Sequence, residues 1–347
     1  MATDLAPVQS EIATEIPKQK VLPLERRNAR DMPYEVFMRD YVAKNKPVVV
    51  EDAVRDWPAL KKWTPEFFKT QFGPKQVNVG PKDKQAFGDF IDAVLASTEE
   101  KPGPYMFRLF VGPHMPELLQ DLQPQNDYAF PRRLASPLMP KTWRRPDGYL
   151  KLLIGGVGGK FPVMHFDGEN MHACITEIYG DKEFIMFAPE DTPYVYRHDQ
   201  SPMCMTSQIE EFANPDYKRF PLFAKATRYH TILRPGEMIF VPSRWWHTAR
   251  VVSTSISICQ NMLDSSNWKG YVNWLCHIHE GKKALKKTAA RAYFNMLGGT
   301  LSLLEKMPMR GKKAKHARAG RIARLAPTST WEAMDVSEWP INKWIVR

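Results

Sequence analysis

The second half of the chain is cut into short β-compatible runs by glycine and proline turns, and this confines its core to sheet. Residues 149–154 (Tyr-Leu-Lys-Leu-Leu-Ile) form the first run, closed by a glycine-rich turn from Gly155 to Gly159. Residues 173–179 and 182–187 follow, separated by Gly180-Asp181, and residues 238–241 come after the turn Arg234-Pro235-Gly236-Glu237. Residues 253–260 alternate Ser or Thr with Val, Ile or Cys, the period of a strand. An earlier run, 47–50, has the same character. Residues 193–229 show little periodicity. Their aromatic side chains, Tyr194, Tyr196, Phe212, Phe220 and Phe223, predict a long loop packed over the sheet.

Helical patterns flank this core. Tyr34, Phe37, Met38, Tyr41 and Val42 share one helical face, and Thr64-Pro65-Glu66 starts a helix that Gly73 ends. Phe87, Phe90, Ile91, Val94 and Leu95 mark a third. Near the C-terminus, Asn267 is placed to cap a helix carrying Trp268, Tyr271, Val272 and Leu275 and closed by Gly281. A second helix, with Leu285, Ala289, Ala292 and Met296 on one face, is expected to stop at Gly298-Gly299.

The chemistry concentrates after the glycine turn, in His165-x-Asp167. On an extended strand, positions i and i+2 face the same side, so a nitrogen donor and a carboxylate arrive together. A third donor, His247, stands in Pro242-Ser243-Arg244-Trp245-Trp246-His247, at the end of the run that the Pro-Gly-Glu turn begins. Two histidines and one carboxylate leave open positions on iron, as oxygen chemistry requires. A core histidine and a turn-forming aspartate would leave the same trace in sequence. Lys182 shares a face with Phe184 and Met186. If those two face the core, its ammonium is buried, and with no acid on that face of its own strand an anionic ligand is a natural partner; just beyond the Gly-Asp turn, the same lysine could instead point to water. Trp245, Trp246 and Phe166 are candidates for shaping the pocket.

The order His165-x-Asp167, Gly180-x-Lys182, Pro235-Gly236-Glu237, Pro242-x-x-Trp245-Trp246-His247 and then Asn261 resembles the JmjC or cupin-like iron(II)/2-oxoglutarate oxygenases. Within them it is most similar to the asparaginyl hydroxylase subgroup that inhibits the hypoxia-inducible factor. The resemblance implies a mainly β fold with flanking helices: a double-stranded β-helix (cupin, jelly-roll) core and a C-terminal helical extension. It implies Fe(II) held by His165, Asp167 and His247. It sets Lys182 against the distal carboxylate of 2-oxoglutarate, and Asn261 and Tyr105 among the co-substrate contacts. The implied activity is a dioxygenase hydroxylating a C–H bond of a protein side chain or other macromolecule, with a metal-binding cupin module or a tRNA-modifying hydroxylase as the alternatives. Pro162 stands where the family has a hydroxyl residue, and Asn170 or His172 are the candidates for its asparagine after the HxD motif.

Charge and composition bound the rest. The net charge is +11, and residues 282–324 alone carry thirteen Lys or Arg against Glu305, so the remainder is close to neutral. This basic segment is a candidate RNA-binding or acidic-protein surface. The four cysteines, Cys174, Cys204, Cys259 and Cys276, form no CxxC pair, which argues against a zinc ribbon and fits a reducing compartment. No apolar run is long enough to span a bilayer. The expected protein is intracellular, cytoplasmic or nuclear, with no membrane partner. Its expected divisions are a disordered segment 1–20, a catalytic domain 21–265, a helix pair 266–304 suited to homodimerisation, and a basic flexible segment with a tryptophan-containing tail, 305–347.

Overall fold

The computed structural model describes residues 19–79, 84–129, 136–138, 150–199, 205–212, 214–278 and 284–307. The sequence expectations for residues 1–18, for Tyr149, Cys204 and Gly281, and for the basic segment and tail beyond 307 lie outside the described residues.

Thirteen strands are present among the described residues. In chain order they are β1 (Val21–Pro23), β2 (Arg26–Asn28), β3 (Val48–Glu51), β4 (Gln76–Asn78), β5 (Lys84–Ala86), β6 (Tyr105–Phe110) and β7 (Leu150–Gly155). Then come β8 (His172–Tyr179), β9 (Lys182–Phe187), β10 (Arg228–Leu233), β11 (Met238–Val241), β12 (Trp246–Val251) and β13 (Ser255–Met262). They form a seven-stranded sheet in the order β2-β3-β11-β8-β13-β7-β6, a four-stranded sheet in the order β1-β10-β9-β12, and a separate β4-β5 pair. Consecutive strands β8 and β9 thus belong to different sheets. Gly180 makes that crossing, with φ +73 and no room for a Cβ, which would lie 2.0 Å from the Thr254 carbonyl oxygen.

The two large sheets face each other across one apolar layer. Leu153, Ala173, Ile175, Ile239 and Val241 from the larger sheet meet Phe184, Met186, Leu233 and Ala249 from the smaller. The period-2 alternation sends the other residues of the same strands outward. Leu152, Ile154, Ile178, Ile256 and Ile258 bury against the helices Pro65–Phe72 and Phe87–Leu95. Val48, Val50, Cys174, Met238 and Phe240 bury against Phe37 and Tyr41. On the smaller sheet, Ile185, Phe187 and Trp246 are covered by Val195, Phe212, Phe220 and Phe223 of the long insertion, as its aromatic content implied. This is the jelly-roll core with flanking helices.

The helix Pro65–Phe72 begins as read, with the Thr64 hydroxyl accepting from Phe67 N, and Phe87–Leu95 matches its apolar spacing. The Tyr34–Val42 stretch turns from α-helix to π-helix at Met38. Two expectations about the strands are corrected. His165-x-Asp167 is not on a full strand; it lies on a loop tied by isolated bridges from His165 to Thr206 and to His247. Trp246 and His247 do not end a strand but open β12, after β11 has stopped at Val241. Strands β1, β2, β4, β5, β6 and β10 add to those expected from the sequence.

At the C-terminus the helices Trp268–Ile278 and Ala284–Lys306 pack on Met171 and Leu263. Asn267 stands at the start of the first as expected, its carbonyl accepting from Tyr271 N at 3.2 Å. Its side chain turns back, accepting from Asp264 N and donating to the Met262 carbonyl. The second helix runs through Gly298-Gly299. Gly298 is there for close approach: a Cβ would stand 2.4 Å from Cδ1 of Trp268. Its buried face is Leu297 and Leu301, while Ala289, Ala292 and Met296 face outward, a shift from the expected stripe.

Candidate metal centre

The bridge between His165 and His247 builds the site. The two residues exchange backbone hydrogen bonds, His165 N to His247 O (3.1 Å) and His247 N to His165 O (2.7 Å), as a directly opposed antiparallel pair. Their rings are therefore brought side by side, with centroids 4.4 Å apart. Asp167, two residues on, turns into the same space. One ligand atom from each of His165, Asp167 and His247 can be chosen so that all lie within 4.8 Å of one another.

The surrounding contacts orient these donors. His165 Nδ1 meets the Val163 carbonyl at 3.2 Å, and His247 Nδ1 meets the Trp245 carbonyl at 2.9 Å. A carbonyl only accepts, so each Nδ1 donates, which leaves each Nε2 as the candidate ligand atom. Burial, with the nearby His247 and Lys151, pushes His165 well below the usual imidazole range, so the ring is neutral. Phe161 stacks on His165 at 4.2 Å. Asp167 Oδ2 accepts from Asn261 Nδ2 at 3.2 Å, which holds the carboxylate. Two oriented imidazoles beside an anchored carboxylate are a donor set that fits a divalent transition metal such as iron(II).

The triad lies on the wall of a cavity of about 130 Å³. Its lining is mostly apolar, from Phe107, Leu153, Ile175, Phe184 and others, with Tyr105 and Cys259 on the wall and Lys151 and Glu169 as its charged members besides Asp167. Burial pushes the Glu169 carboxyl up to about 7, with Lys151 opposing the shift. Lys151 donates to Asn261 Oδ1 at 2.9 Å, so Asn261 bridges that ammonium and Asp167.

Lys182 is buried, as its strand face implied, but its surroundings differ from the expectation. It does not line the cavity. Its Nζ lies 3.5 Å from Glu177 Oε2, and both side chains are fully buried. Ser257 accepts from Lys182 and donates to Glu177 at 2.9 Å, and Ser255 donates to Glu177 at 2.5 Å. The Lys182 Nζ also stands 5.4 Å from the Tyr105 ring centroid. The acid missing from the lysine's own strand comes from the opposite sheet.

Other candidates fall elsewhere. Asn170 donates to the Asn267 carbonyl, and His172 Nδ1 accepts from Ser243 N on the outer face of β8. Between them the inward, cavity-lining position is Ala173. Pro162 borders a neighbouring groove rather than the metal cavity. Trp246 packs outward on Phe166 and Trp245 on Tyr229, so none of the three expected pocket-shaping aromatics lines the cavity. Sequence reasoning passed over Lys151 and Glu177, although Lys151 breaks an otherwise apolar strand and Glu177 is the one carboxylate on β8.

The fold and donors define a jelly-roll protein with a two-histidine, one-carboxylate cluster that could hold a metal ion. The chain belongs to the cupin-like domain family, which matches residues 33–263. It is 27% identical over 236 residues to lysine-specific demethylase 8 of Danio rerio, covering 65% of this chain and 55% of that protein. It is 26% identical over 314 residues to arginine-specific demethylase JMJ22 of Arabidopsis thaliana, covering 83% and 58%. It is 24% identical over 293 residues to tRNA wybutosine-synthesizing protein 5 of Gallus gallus, covering 79% and 86%. The chain thus spans little more than half of the two demethylases. Among the described residues, no helix is long and apolar enough to cross a membrane.

Proposed function

We propose that this chain is an iron(II)- and 2-oxoglutarate-dependent dioxygenase that hydroxylates a C–H bond of a protein side chain or other macromolecular substrate, as in the asparaginyl hydroxylase subgroup it resembles. The observation that carries the reading is the meeting of two imidazoles, each held through its Nδ1, and an anchored Asp167 carboxylate on the wall of a mostly apolar cavity. Iron with 2-oxoglutarate supplies the oxidising power toward an unactivated C–H bond. The chain's residues do the remaining work. His165, Asp167 and His247 hold the metal with positions left open. Asn261 keeps the carboxylate in place and links it to Lys151. Phe161, Phe107 and Phe184 exclude water. Tyr105 and Lys182 are assigned to the distal carboxylate of the co-substrate.

The names of relatives bear on the substrate. Hydroxylation of an N-methyl carbon followed by loss of formaldehyde is demethylation, so the demethylase names fit the same chemistry on a protein side chain. A tRNA substrate is the second reading. It is favoured by the basic stretch 282–324 and by the coverage of the wybutosine-synthesizing relative. A metal-binding cupin without oxygen chemistry is the remaining alternative. The reading places the protein inside the cell, and the helix pair is the candidate homodimer surface.

The test is anaerobic titration with iron(II) and 2-oxoglutarate, followed by succinate release under oxygen. The expected result is a visible charge-transfer band and iron-dependent succinate, both lost in His247→Ala. Iron binding without either signal would leave the cupin module as the better reading. Steep salt dependence of tRNA binding, lost on removing residues 311–324, would favour the RNA substrate.

A further inference from the structure

The buried pair behind the cavity has a consequence for co-substrate binding. Lys182 extends from β9 in the smaller sheet, and Glu177 from β8 in the larger, and they meet across the core. Glu177 holds three side-chain polar contacts in this buried space, Ser255, Ser257 and Lys182, and the Lys182 ammonium in turn lies over the Tyr105 ring. The titratable groups facing the pair are Tyr105 from β6 and Cys259 from β13. The cavity reaches Tyr105 and Cys259 and stops there; the Lys182 ammonium lies beyond its lining.

A dicarboxylate therefore finds a cation that is already neutralised. To reach it, the ammonium must turn from Glu177 toward the cavity. That would leave an ionised carboxylate buried without a counter-ion, which is far more costly than a neutral acid hydrogen-bonded to two serines. Burial already pushes the Glu177 carboxyl up to about 7, even with Lys182 and both serine hydroxyls drawing it down.

We propose that Glu177 sets the affinity and selectivity of the co-substrate site: a 2-oxo dicarboxylate binds by displacing Glu177 from Lys182, and Glu177 takes up one proton from solvent and stays bonded to Ser255 and Ser257. The charge balances, since the ligand's distal carboxylate replaces the Glu177 carboxylate as the partner of Lys182. Asp167, Glu169 and Lys151 stand at the metal end and play no part in this exchange. This inference rests on the dioxygenase reading above.

The experiment is calorimetric titration of anaerobic, Mn(II)-loaded protein, wild type and Glu177→Gln, with 2-oxoglutarate and with 2-oxobutyrate, which lacks the distal carboxylate. Wild-type affinity for 2-oxoglutarate should weaken as pH rises, approaching about tenfold per unit above the Glu177 pKa, with up to one proton taken up. Proton uptake is read from buffers of different ionisation enthalpy. Glu177→Gln should bind 2-oxoglutarate about tenfold more tightly at pH 8, with no pH dependence beyond that of 2-oxobutyrate. Glu169 faces both keto acids alike, so 2-oxobutyrate subtracts its response.

If Glu177→Gln does not fold, the wild-type proton uptake alone decides. Binding of 2-oxoglutarate with no more proton uptake than 2-oxobutyrate, and with the same pH profile, overturns the inference and leaves the dioxygenase reading intact. Failure of both keto acids to bind either protein overturns the two together.

Discussion

The Lys182–Glu177 pair allows a sharp test of what holds the two sheets in register. Both side chains are fully buried and 3.5 Å apart. At that separation, with an effective dielectric of about 20, the attraction is about 5 kcal/mol. Removing one partner leaves a buried charge uncompensated, at a cost of about 3–5 kcal/mol. Lys182→Met and Glu177→Gln should each lose that much at pH 8, where neither remaining group is comfortable. The double variant places a thioether beside an amide that still accepts from both serines. It avoids burying any charge and should lie within about 2 kcal/mol of wild type. The assay is urea unfolding followed by tryptophan fluorescence, and the coupling energy from the cycle should exceed about 3 kcal/mol. Losses that simply add in the double variant would mean the two groups do not interact in the folded protein.

Other perturbations read the structure elsewhere. Gly298→Ala drives a methyl into Trp268, 2.4 Å from Cδ1, whereas Gly299 has open space. The first should destabilise by about 1–3 kcal/mol and the second, Gly299→Ala, should stabilise by up to about 1 kcal/mol; hydrogen exchange across Trp268–Ile278 separates them. Asn261→Ala removes the contact that holds Asp167 and should weaken divalent metal binding by about 10–100-fold, measured by competition with a chelating dye. Glu183 is held down to about 2 by its hydrogen bond to His230 and by Arg250. Its folded pKa lies below the unfolded value, so its contribution is present above pH 4.5 and fades as pH falls toward 2. Glu183→Gln should flatten that limb of a stability–pH curve, and an unchanged limb would remove Glu183 from the account.

The sheet was legible where strands alternate and glycines punctuate. Residues 182–187 and 238–241 match β9 and β11 end to end, because Gly180 and Gly236 mark the turns before them. Strand β10 was hidden because Arg228 and His230 fill its outward positions and no glycine precedes it. The three candidate ligands were legible as residue types in order, but not the bridge that makes them neighbours, since sequence does not show register between distant segments. Lys182 shows the same limit. Its burial follows from Phe184 and Met186 on the same face. Its partner is only five residues away, yet lies on the opposite sheet, because the chain crosses between sheets at Gly180. A local pattern identifies the face a residue points to, and the topology decides what waits there.

A lone ammonium in this core would be costly whenever the site is empty, and Glu177 removes that cost. The same contact opposes any ligand that needs the cation. Stability of the empty protein and affinity for the dicarboxylate therefore draw on one interaction, with opposite signs. Glu177→Gln should make this visible in a single variant: less stable than wild type in urea, yet tighter in its hold on 2-oxoglutarate at pH 8. Saturating 2-oxoglutarate should then restore more stability to the variant than to wild type, because ligand binding adds to folding stability in proportion to the logarithm of affinity. A variant both less stable and weaker in binding would show that Glu177 positions Lys182 for the ligand instead of competing with it.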